Sequence, residues 1–217
     1  MRPTNVGYVV RIMCFRNSML SGSKYRLRFE RVEDATIFSD FDCGLDVMDR
    51  FIHSGLQWCI DYHYCVVYAV KDSEEIVGIV ALGCDKLELD ATDKEELQMG
   101  FFQKPEIDIN YQETFWAKSS YPAIEITYLA VRKDKRHLGI GEYIIEAVGQ
   151  RALDTRFNLA GCQFLTVEAY NSGEASAVGF YSRCDFIAAE EPNPNKETLR
   201  MYKTILPIAR FEDMDEE

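Results

Sequence analysis

The chain has 217 residues, 47% of them hydrophobic, and a formal net charge of −12, a supply of apolar residues that excludes general disorder and fills one substantial core. No run approaches the roughly 18 apolar residues of a membrane span, and Arg11 splits the short apolar stretches near the start, which argues against a secretory signal. An acidic total also argues against wholesale nucleic-acid binding, which needs a basic face.

In chain order, positions 1–23 read as a leader, and residues 1–31 carry seven Lys/Arg against one acid, Glu30. Tyr25 to Val32 alternates apolar and polar residues, the pattern of a strand with one buried face. From Asp42, a plausible N-cap, Leu45, Met48, Ile52, Leu56 and Cys59 recur at helical spacing. Tyr64 to Val70 reads as a buried strand, and a turn at Asp72–Glu75 leads into another from Ile76 to Leu82, extending toward Leu89. Residues 90–121 are the least regular part and read as an insertion. Within it, Thr92 and Glu95 form a capping-box pattern for a helix over Asp93–Phe102. Ile124 to Val131 is the next strand, Lys133 to Leu138 a charged loop, and Gly139 to Leu153 a helix with Ile140, Ile144, Val148 and Ala152 on one face. A strand at Phe164–Ala169, a helix at Glu174–Ser182, and strands near Phe186–Ala188 and Leu199–Ile205 complete the domain, 24–206. Residues 207–217 form an acidic tail. Strands and helices interleave without a linker, so the expected class is α/β, one domain with a mixed central sheet flanked by helices.

The seven cysteines are odd in number and lack zinc or redox spacing. Most lie in apolar segments, where free cysteine packs as a small hydrophobe, and a reducing, cytoplasmic setting is expected. His53, His63 and His137 have no metal-ligand partner at helical spacing, so no metal is expected.

The most informative stretch runs from Tyr128 to Gly141. A strand enters a basic loop, Arg132, Lys133, Lys135 and Arg136, whose Gly139 and Gly141 open a helix. The first amides of a helix have no internal acceptor, the macrodipole adds roughly half a positive charge there, and glycine lets a ligand approach the backbone. Such a start suits a pyrophosphate. A Walker loop would need Gly-Lys-Ser/Thr and a dinucleotide fingerprint a third glycine, and neither is present.

Val131 to Gly141 resembles the acetyl-CoA-binding motif of the Gcn5-related N-acetyltransferases (GNAT), and the order of elements from Lys24 to Thr204 is similar to that family's fold. Phe180-Tyr181, four residues before Asp185-Phe186, is similar to its Phe-Tyr-x-x-x-Gly-Phe signature, with aspartate standing where the signature has glycine. Phe41 to Ile52 resembles the first helix of a GNAT subgroup that includes toxins acetylating aminoacyl-tRNA. The resemblance implies transfer of an acetyl group from acetyl-CoA to a primary amine by direct attack in a ternary complex. It assigns cofactor binding to Leu129, Ala130, Val131, Arg136, His137, Leu138, Gly139, Ile140 and Gly141. Leu129 and Val131 would pair with the pantetheine arm through their backbone, and Asn171 would reach it where the usual asparagine is replaced by Glu174.

Glu125, eleven residues before Arg136, is the candidate general base; strand alternation would set it on one face with Thr127, Leu129 and Val131. The competing structural reading is a carboxylate that is solvated or paired with an arginine. Tyr181 is the candidate acid for the leaving thiolate, against the reading of a core aromatic. The expected acceptor is a small-molecule or protein amine. Homodimerisation is a further expectation from relatives. A tRNA acceptor is not favoured, because residues 85–113 carry nine acids against three lysines. A non-catalytic acyl-CoA-binding module would keep the glycine loop but need neither Glu125 nor Tyr181.

Overall fold

The computed structural model describes residues 27–97, 109–154, 160–173, 176–190, 193 and 196–205. The expected leader, the acidic tail and Glu174 lie outside these residues. Seven strands form one sheet in the order β1-β2-β3-β4-β5-β7-β6: Leu27–Val32, Val66–Asp72, Glu75–Glu88, Ser120–Val131, Phe164–Tyr170, Ile187–Ala188 and Thr198–Thr204 for β1 to β7. Every pairing is antiparallel except β4 with β5, which is parallel. The described helices are α1 Asp46–Ser54, α2 Leu56–Asp61, α3 Ala91–Leu97, α4 Ile109–Ala117, α5 Ile140–Leu153 and α6 Val178–Arg183. The mixed α/β sheet is as expected.

Two cores form, one on each face. On one side α5 and α6 pack Ile140, Ile144, Ile145, Val148 and Tyr181 onto Val80, Ile126, Leu165, Val167 and Met201. On the other, α1 and α2 pack Ile52, Leu56 and Cys59 onto Val67, Ala69, Ile79, Ala81 and Ala130. The 3.6-residue period of α5 places its apolar stripe on the sheet. Ile144 is fully buried there, where truncation to alanine removes about 2–5 kcal/mol.

Several expected boundaries shift for identifiable reasons. Asp42 is not an N-cap: its carboxylate accepts the Gly44 amide at 2.7 Å and pairs with Lys133, and α1 begins only after Leu45, which offers no side-chain cap. The single helix expected through Cys59 breaks at Gly55. The capping box before α3 is not Thr92 with Glu95 but Asp90 with Asp93, each carboxylate accepting the other's amide at 2.9–3.0 Å. The helix expected to run on to Phe102 is described as Ala91–Leu97; 98–102 lie outside the described residues. Helix α4 was not foreseen. Its C-terminal carbonyls are tied down by Lys94, whose Nζ donates to Trp116 and Lys118, and by the Tyr121 hydroxyl, which donates to Phe115.

Candidate functional site

The site is built at a defect in the sheet. Strands β4 and β5 pair only at Ala123–Glu125 with Phe164–Thr166. Beyond that the two parallel strands separate, so the β4 edge from Ile126 to Val131 has no strand partner on that side among the described residues. Unpaired backbone groups at such an edge need acceptors and donors from elsewhere, and an extended ligand can supply them.

A second irregularity lies beside the first. Along β3 and β4 the register jumps from Ala81–Tyr128 to Leu82–Ile126, leaving Thr127 as the extra residue of a bulge. The bulge reverses the alternation. Ile124 and Ile126 share the α5/α6 face with Leu129 and Val131, while Tyr128 and Ala130 belong to the α1/α2 face. The expectation that Glu125 shares a face with Leu129 and Val131 is therefore wrong. Glu125 lies on the α1/α2 side, and strict period-two reading failed because it assumed an unbroken pleat.

Glu125 is half-buried, and its described side-chain hydrogen bond comes from the Thr127 hydroxyl at 3.4 Å. No arginine pairs with it among the described residues. Arg200, the nearby cation, is taken by Asp85 at 2.7 Å and Glu168 at 3.1 Å. Burial raises the Glu125 pKa above the usual carboxylate range, and the charge of Asp85 adds to the rise. Burial also works to raise the pKa of Asp85, but hydrogen bonds, from Thr166 above all, and the Arg200 charge outweigh it and hold that carboxyl low. Asp85, Thr166, Glu168 and Arg200 escaped the sequence reading because they come from three strands and form no motif.

Tyr181 sits on the opposite face, almost fully buried among Phe180 and Phe186, with ring centroids at 5.0 and 5.4 Å. Desolvation raises its pKa strongly, so it stays a neutral donor. Among the described residues its hydroxyl has no hydrogen-bond partner. Glu125 and Tyr181 are thus not brought into contact; they lie on opposite faces of the sheet. Cys184 is buried nearby with its thiol pushed up to about 11 by desolvation, which keeps it protonated and packed.

The glycine loop follows β4 directly. His137 and Gly139 both have positive φ, 60° and 79°, and Gly139 caps α5. Backbone curled in this way is the kind that can present amides to an anion. A Cβ at Gly139 would meet nothing within 4 Å, so the position opens onto free space and needs glycine for its conformation. Gly141 has another reason. A Cβ there would strike the Phe180 ring at 2.9 Å, so this glycine lets α6 close against α5. Ile140 is buried beneath the loop, whereas Leu138 and His137 are exposed.

The basic field expected around this loop is largely neutralised. Lys133 pairs with Asp42, Arg132 with Glu75 and Asp134, and Lys135 with Glu75. Arg136 directs its guanidinium to the Cys43 carbonyl, and Asp49 accepts the Cys43 and Gly44 amides at 2.8 and 3.2 Å. The Phe41–Ile52 segment therefore braces the loop. Asn171 follows β5 at the open end of the split, its amide donating to the Glu197 carbonyl at 2.7 Å. An open, positive-φ glycine at a helix start beside an unpaired strand edge fits the phosphates and amide-bearing arm of acetyl-CoA. Among the described residues no group of His, Cys, Asp and Glu is arranged to hold a metal ion, and no helix is long and apolar enough to cross a membrane.

Comparison with known proteins agrees with this fold. A crystal structure of a bacterial toxin is similar with a TM-score of 0.61 and 18% identity, covering 89% of this chain and 98% of that one. AtaT complexed with acetyl-methionyl-tRNAfMet gives 0.53 and 20%, covering 80% and 93%. AtaTR bound with AcCoA gives 0.55 and 19%, covering 82% and 94%. At these identities the likeness is one of fold. Among curated proteins none matches the sequence. Residues 35–186 match the model of the acetyltransferase (GNAT) family, and with most of the chain inside that match, the protein belongs to this family.

Proposed function

We propose that the protein transfers an acetyl group from acetyl-CoA to a primary amine, with both substrates bound together. The observation that carries this reading is the half-buried carboxylate of Glu125, unpaired with arginine among the described residues, where the β4–β5 pairing ends on the strand that leads to the open Gly139 at the start of α5.

Backbone groups of Leu129 and Val131, with Ala130 between them, would hold the pantetheine arm. The amides from His137 to Gly141 would hold the phosphates, Asn171 closing the open end. When bound, acetyl-CoA supplies the activated acyl group as a thioester. Glu125 takes up the proton that the amine releases as its nitrogen bonds to the acyl carbon, and its raised pKa suits that role near neutral pH. The Tyr181 hydroxyl holds the proton needed by the sulfur as the C–S bond breaks.

A narrower version, acetylation of the amino group of an aminoacyl-tRNA, draws support from a structural relative whose own description names acetyl-methionyl-tRNA. Against it stand the acidic neighbours Asp85 and Glu168 beside Glu125 and the paired state of the loop lysines. The discriminating experiment is an acceptor screen with acetyl-CoA, covering small amines, polyamines, peptides and aminoacyl-tRNA. Turnover of a small amine and none of charged tRNA upholds the broader reading. No amine acetylated in any class would overturn it.

A further inference from the structure

Gly83 lies in the middle of β3, directly opposite Glu125. Its φ is not positive, so the backbone does not ask for glycine there. The side-chain space explains it. A Cβ at Gly83 would meet the Thr127 hydroxyl oxygen at 3.2 Å, Glu125 Oε2 at 3.6 Å and the Tyr64 carbonyl oxygen at 3.7 Å. All three nearest atoms are oxygens. At a strand position flanked by Leu82 and an exposed cysteine, oxygens nearest on every count are not apolar packing.

Each wall has spare capacity. The Thr127 hydroxyl donates to Glu125 and keeps its lone pairs. The Tyr64 carbonyl receives no donor among the described residues, and the bulge at Thr127 is what swings that side chain out of the pleat. Tyr64, whose carbonyl borders the hollow, carries a ring 5.8 Å from that of Trp58. Trp58 and Tyr64 are 47% and 55% exposed, and Tyr62 beside them is 81% exposed. Large aromatic surface left in water beside a carboxylate marks a binding face.

We propose that the hollow over Gly83 seats the acceptor's amino group, and that Trp58 and Tyr64 form a platform for an aromatic or apolar group carried close to that nitrogen. This rests on the acetyltransferase reading and narrows it to a substrate class. A primary ammonium has three N–H donors, and Glu125, Thr127 and the Tyr64 carbonyl offer three acceptors. The preferred acceptor is an arylalkylamine-type compound, whose ring the two aromatic side chains receive while its nitrogen meets the three oxygens.

The test uses the full chain saturated with CoA and phenethylamine as the probe, with binding read by calorimetry. The parent binds it more tightly than n-butylamine. Trp58→Ala weakens phenethylamine about 3- to 10-fold, the size of one lost aromatic contact, and leaves n-butylamine unchanged. Gly83→Ala, whose tightest contact of 3.2 Å is with the Thr127 side chain and not with backbone, abolishes binding of both amines while CoA affinity stays at the parent's value. Parent-like amine binding by Gly83→Ala, equal loss of both amines in Trp58→Ala, or no amine binding by the parent would overturn the inference. Failure of CoA itself to bind would instead strike the acetyltransferase reading.

Discussion

The two faces of the sheet reach the β4–β5 opening by different means. The α5/α6 side offers backbone: an unpaired strand edge, a positive-φ glycine, helix-start amides, and one buried tyrosine enclosed by aromatic rings. The α1/α2 side offers side chains: Glu125 with Thr127, and a network of Asp85, Thr166, Glu168 and Arg200 drawn from three strands. A ligand held by main chain tolerates sequence change at the side chains around it. Discrimination among acceptors needs side-chain chemistry.

The contrast can be broken most sharply at Gly139. A β-branched side chain at φ 79° adds strain of about 1–3 kcal/mol and fills the cradle. Gly139→Ile is therefore expected to weaken acetyl-CoA by more than about 100-fold in calorimetry; retained affinity would remove the main-chain account of that face. Tyr181→Phe is expected to lower turnover about 1,000-fold while acetyl-CoA affinity holds, because the ring packing against Phe180 and Phe186 survives. Parent-like turnover would make Tyr181 a core aromatic only.

On the other face Glu125→Gln is expected to cost about 100-fold in kcat/KM and to flatten the acid limb of the pH profile. The sign follows from the shift. Burial raises the folded pKa above 4.5, so the base is lost as pH falls through that raised value, and the parent's limb lies above the ordinary glutamate range. The same shift means that the ionised carboxylate disfavours folding: its stabilising, protonated form is fully present only below the unfolded pKa and is lost as pH rises through the folded one. Glu125→Gln should thus melt no lower than the parent at neutral pH, and a drop in melting temperature would point to a structural ion pair. Gly141→Ala is the smallest change: the clash with Phe180 should cost about 1 kcal/mol of stability, recovered by Phe180→Leu, with turnover little altered.

Legibility in the sequence follows the same division. The strand–loop–helix unit from Tyr128 to Gly141 was readable because local chemistry, a β period, basic loop and glycines, encodes it in one stretch. Ile140, Ile144, Val148 and Ala152 were readable from the 3.6-residue period and are all buried. The face of Glu125 was not, since a one-residue bulge at Thr127 reverses alternation without any marker residue. Nor was the neutralisation of the basic loop, because Asp42 and Glu75 reach it from far away in sequence. Helix α4 was missed because its docking depends on Lys94 and Tyr121, which lie outside it. The hollow at Gly83 draws on residues 64, 83, 125 and 127, a constellation that only folding assembles.

Amide hydrogen exchange of the full chain with and without acetyl-CoA tests the central claim most directly. Exchange should slow at His137–Glu142 and at the Ile126–Val131 amides on the side away from β3, where no strand pairs among the described residues. Unchanged exchange at both segments under saturating acetyl-CoA would contradict the account.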